Sequence, residues 1–100
     1  MLVLYVRIGE YVAIGREEKR LVVLRSNCLS ALMSLDGSEF EVDIDSHHVI
    51  SVADGDVDIM LIETFKDSAR LGLEAPRRIP IDRESVHKKK KLACAVAGKQ

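Results

Sequence analysis

From Pro76 onward the sequence holds eight bases, Arg77, Arg78, Arg83, Lys88 to Lys91 and Lys99, against two acids, Asp82 and Glu84. Basic groups at that density suit an anionic partner. Arginine offers a planar fork of donors to phosphate or to a guanine edge, and lysine adds a point charge. Three of the arginines surround a short segment in which Ile79 and Ile81 face one way and Arg78 and Asp82 the other. Such alternation predicts a strand. Pro80, which has no N–H for a ladder, restricts that strand to a sheet edge. Asp82 stands at the expected N-cap of a helix running from about Arg83 through the lysines and fraying before Gly98. Lysines late in that helix would each favour its negative end by about 0.3–1 kcal/mol. The chemistry expected here is binding of an anion by Arg77, Arg78, Arg83 and Lys88.

Other reactive groups are sparse. Asp43, Asp45, His47 and His48 include metal-ligand types, but no cysteine or second histidine cluster joins them, and strand alternation already explains the acids as a solvated face. Asp82 and Glu84 are placed as a helix cap and a first-turn residue rather than as an acid/base pair. Cys28 and Cys94 have no neighbouring base, and Gly9 and Gly15 punctuate turns instead of cradling a phosphate. The chain is read as a non-enzymatic protein without a cofactor or metal.

The elements that position these groups fit one domain of 100 residues, 47% hydrophobic. A domain so short leaves much of its surface exposed and gains from dimerisation. Four per cent aromatic content and no tryptophan argue against single-strand binding dominated by base stacking. The formal charge of −1 conceals an asymmetry. Residues 1–54 carry five Lys/Arg and nine Asp/Glu, hence −4, and residues 55–100 carry ten and seven, hence +3. The stretch from Asp36 to Asp58 has eight acids and no Lys or Arg, which would discourage strand-on-strand aggregation or attract a basic surface. Two cysteines suggest no disulfide framework. No apolar run reaches a membrane span of ~20 residues. With no basic leader at the start, the expected location is the cytoplasm.

Alternation and turn signals predict about nine short strands. They lie at 2–8, 11–14, 20–25, 28–35, 39–45, 48–53, 57–65, 69–73 and 78–82. Residues 28–35 also carry helix-forming Leu, Ala and Met, but their length between two turn signals favours a strand. Short antiparallel strands followed by one C-terminal helix imply a mainly β sandwich or barrel-like fold.

Two segments carry a family resemblance. One is Met1-Leu-Val-Leu-Tyr-Val-Arg-Ile-Gly-Glu-Tyr-Val-Ala-Ile-Gly15. The other spans residues 55–87 and contains Arg70-Leu-Gly-Leu-Glu-Ala-Pro-Arg-Arg-Ile-Pro-Ile-Asp-Arg-Glu84. Together these segments resemble the carbon storage regulator (CsrA/RsmA) family of bacterial RNA-binding translational regulators. The first is similar to the family's opening two strands, and the second to its strands three to five and helix start, over about half of the chain. Family members are strand-swapped dimers in which strand one of one subunit lies beside strand five of the other, making a site for GGA-containing RNA loops. The resemblance therefore implies RNA contacts at Leu4 and Arg7 on strand one, and at Ile81, Arg83 and Val86 on strand five and the helix start. Val6 stands where the family has its first strand-one base, and Asp82 where it often has histidine.

Residues 16–54 have no counterpart in an ordinary member. Two readings stay open: an insertion after strand two, or a degenerate duplicated unit that makes the chain a single-chain pseudo-dimer. On the second reading residues 2–7 pair with residues 78–82 in one complete site, and residues 88–100 form a basic tail. The expected function is post-transcriptional regulation through GGA loops in mRNA leaders or small RNAs, by a homodimer or pseudo-dimer. The alternative is a protein-interaction module that associates with an intact family member or another protein.

Overall fold

A computed structural model describes the backbone of residues 1–97 and the side chains of residues 1–90. Lys99 lies outside the described residues, as do the side chains of Lys91 and Cys94. The nine strands are β1 (Leu2–Arg7), β2 (Tyr11–Ile14), β3 (Lys19–Ser26), β4 (Ser30–Leu35), β5 (Ser38–Asp43), β6 (His47–Val52), β7 (Gly55–Thr64), β8 (Ser68–Glu74) and β9 (Ile81–Arg83). One helix, α1 (Glu84–Ala97), follows. The strands form two antiparallel sheets, ordered β1-β8-β7-β6 and β5-β4-β3-β2-β9. The mainly β expectation holds, and residues 30–35 are a strand.

Local chemistry sets this order. Asp36 and Gly37 both have positive φ, 49° and 90°, as a two-residue hairpin turn of the primed type requires. They fold β5 directly back on β4, with Leu35 opposite Ser38. After β8 the equivalent position holds Ala75-Pro76, which cannot make that turn. The chain instead crosses to the other sheet, where β9 pairs with β2. Two bulges interrupt the ladders, at Leu24 between β3 and β4 and at Ile62 between β7 and β8.

The inner faces meet in one core. Val12, Ile14, Leu21, Val23 and Met33 from one sheet pack with Val6, Ile59, Leu61, Leu71 and Leu73 from the other. Burying each such side chain stabilises the fold by roughly 1.5–3 kcal/mol. Phe40 and His48 stack at 4.1 Å between ring centroids, at the β5/β6 side.

Four expectations need correction. The strand expected at 78–82 is confined to Ile81–Arg83, with Arg78 in a turn and Pro80 ahead of the strand. Asp82 is not the N-cap, because β9 continues through Arg83 and the helix begins at Glu84. The lysines occupy the middle of α1, and its last turn holds no base, so they do not complement the helix's negative end. Residues 2–7 form no ladder with residues 78–82: β1 bonds to β8 and β9 to β2. No described helix is long and apolar enough to cross a membrane.

Candidate nucleic-acid interface

Although not hydrogen-bonded to each other, β1 and β9 are edge strands on the same side of the sandwich, one in each sheet. They also run in the same direction, since β9 is antiparallel to β2 and β1 reaches β2 through a tight turn. An open cleft of about 210 Å³ lies at their leading ends. Leu2 of β1, Ile81 of β9, Pro76, Arg77 and Ile79 are among its lining residues. The cleft has an apolar floor, with Ile79 in the core, and an exposed arginine at position 77. Glu74 also lines the cleft, and its carboxylate lies 3.6 Å from the Met1 ammonium, which leaves Arg77, among the described residues, as the cation without an ion pair there.

The other expected site residues occupy distinct settings. Leu4 points inward and is buried, so its side chain belongs to the core. Val6 is wholly buried, and an arginine there would lose its hydration. The strand's exposed base is Arg7. Val86 is 41% exposed on the first turns of α1, and Lys88 is exposed beside Glu84, 4.0 Å away.

Charge pairs decide how much positive field the ledge presents. Arg83 Nη2 lies 3.8 Å from Glu10 Oε1. Asp82, whose carboxylate would repel a phosphate, is engaged by Lys90 Nζ at 3.0 Å, which places a base over the strand. Arg78 donates from Nε to the Asp54 carbonyl at 3.0 Å and passes beside Gly55, so it braces the β6–β7 turn. Among the described residues Arg7 and Arg77 make no ion pair.

The helix start is fixed by groups that sequence reading did not single out. His87 is 4% exposed and bonds through Nδ1 to the Tyr11 hydroxyl at 2.8 Å and through Nε2 to Glu18 Oε1 at 3.0 Å. Glu18 itself has φ 56°, in the connection between β2 and β3. The Arg20 guanidinium covers the Tyr11 ring at 4.4 Å. These partners are 76 and 69 residues apart in sequence, so no local spacing announced them.

The groups considered for metal binding have other roles. His47 Nδ1 lies 2.8 Å from Asp58 Oδ2, and His48 stacks on Phe40. Among the described residues no cluster of three metal-ligating side chains occurs. Compared with protein-family models, curated proteins and solved structures, the chain matches none of them.

Proposed function

We propose that this protein binds RNA, taking a GGA-containing loop at the cleft between β1 and β9, and so regulates translation or mRNA stability without chemistry of its own. The observation that carries this reading is the meeting of Leu2 and Ile81 in one cleft with Arg77. Two edges separated by almost the whole chain come together where the family resemblance expects a composite site. Arg83 and Arg7 lie on the same two strands and extend the ledge away from the cleft.

The pseudo-dimer reading also gains support. β2–β3–β4 and β6–β7–β8 are both antiparallel meanders, and each has a one-residue bulge between its second and third strands. Equating Leu24 with Ile62 aligns Ser30-Ala31 with Ser68-Ala69, and all four are buried. It also aligns Met33 with Leu71 and Leu21 with Ile59, all in the core. An insertion would have no reason to repeat these features. On this reading one chain supplies two units and one RNA site, because a second strand one is lacking and acidic β5 fills its lane on β4.

A titration with a GGA hairpin at several salt concentrations tests the function. One hairpin per 11.1 kDa chain, with affinity falling steeply as salt rises, is the expected result. A hairpin whose GGA is replaced binding equally well would overturn the sequence preference. The absence of binding by either hairpin would favour the protein-interaction alternative, to which the Arg83–Glu10 pairing lends weight.

A further inference from the structure

The two meanders have four outer lanes, and the chain fills three. β9 lies along β2, β5 along β4, and β1 along β8. Among the described residues the lane along β6 holds no strand. The cause is local: the Asp36-Gly37 turn commits β5 to β4. An unpaired edge presents backbone donors and acceptors to any extended chain that reaches it.

β6 lacks the devices that blunt such edges. Its sequence, His-His-Val-Ile-Ser-Val, contains no proline, lysine or acid. It pairs with β7 over six successive residues without a bulge, and Val49 is 58% exposed on it. The surroundings are acidic. Glu39, Glu41 and Asp43 are exposed on β5, the strand on the same side of the other sheet. Asp56 and Asp58 stand opposite Ser51 and Val49 on β7. Asp58 Oδ1 is buried without a hydrogen-bond partner.

The geometry points to β6 as a docking lane for an extended segment of a partner protein in which basic and apolar residues alternate. Alternation would put the segment's basic side chains on one face of the extended sheet and its apolar side chains on the other. Long basic side chains on the Val49 face would reach toward Asp56 and Asp58, and apolar ones on the other face would continue the inner surface of His48, Ile50 and Val52. A second copy of this chain fits less well, since joining two β6 edges brings two acidic faces together. The lane lies along the sheet edge opposite β1, and only its far end, at the β6–β7 turn, touches the Arg78–Ile79 segment beside the cleft.

The test uses the full chain and the peptide acetyl-Lys-Val-Lys-Val-Lys-Val-amide. Its control is the same peptide N-methylated at alternate residues, which keeps the charge but cannot complete a ladder. The unmodified peptide should bind at least tenfold more tightly and perturb the amide resonances of residues 47–52. Val49→Lys should weaken it at least tenfold while leaving the urea midpoint unchanged. Equal binding of the two peptides would reduce the effect to charge attraction and overturn the proposal, as would perturbations confined to β1 and β9.

Discussion

Arg83 and Glu10 face each other at 3.8 Å between β9 and the β1–β2 turn, yet Arg83 Nε and Glu10 Oε1 are both buried without a hydrogen-bond partner. Leaving such atoms unpaired is costly, and a ligand that accepts from the guanidinium would recover part of that cost. Glu10 competes with an incoming phosphate for the same cation. Glu10→Gln should therefore tighten binding of a GGA hairpin by up to about fivefold, the equivalent of ~1 kcal/mol for a partly exposed pair. Weaker binding in a gel-shift titration would mean that Glu10 orients Arg83 rather than opposing the ligand.

Removing the guanidinium should have the larger effect. A charged hydrogen bond contributes about 1.5–3 kcal/mol, so Arg83→Ala should weaken the hairpin at least tenfold. Arg83→Lys should restore only part of the loss, because an ammonium cannot grip bidentately. The Glu10→Gln and Arg83→Ala double variant should bind like Arg83→Ala alone. A further gain from Glu10→Gln in that background would disconnect the two residues.

Tyr11 ties α1 to β2 through His87. Tyr11→Phe leaves the buried His87 Nδ1 without its partner and should destabilise the protein by about 1–3 kcal/mol. Urea unfolding checks this, and an unchanged midpoint would show that the hydrogen bond contributes nothing net.

Much of this architecture was legible in the sequence because strand periodicity is local. Phe40, Val42 and the intervening acids announce β5, and Asp36-Gly37 announces its hairpin. β9 is an edge strand, but Pro80 precedes it, so the proline marks its start and does not sit within it. Periodicity could not provide the partner of each edge: the family resemblance set residues 2–7 beside residues 78–82, but as a ladder that does not form, since β1 bonds to β8 and β9 to β2. The helix start was placed about right, but Asp82 was assigned to its cap because an acid before a helix is the usual signal. The β2 ladder extends through Arg83, and Lys90 takes the Asp82 carboxylate instead. The Glu10 partnership of Arg83 spans the chain and was invisible for the same reason.

Gly37 tests why β5 remains on β4. It has φ 90° with open space around its missing Cβ, so an alanine there meets conformational strain and no clash. Gly37→Ala should cost about 1–2 kcal/mol in urea unfolding. A neutral result would show that the hairpin does not depend on this left-handed residue.

The most direct test of the composite cleft is an amide chemical-shift map recorded while a GGA hairpin is titrated into the labelled full chain. Residues 2–7 and 77–83 should shift together and saturate at one hairpin per chain, with residues 38–52 unmoved. Saturable shifts confined to residues 38–52, or to only one of the two edge strands, would contradict a site shared by β1 and β9.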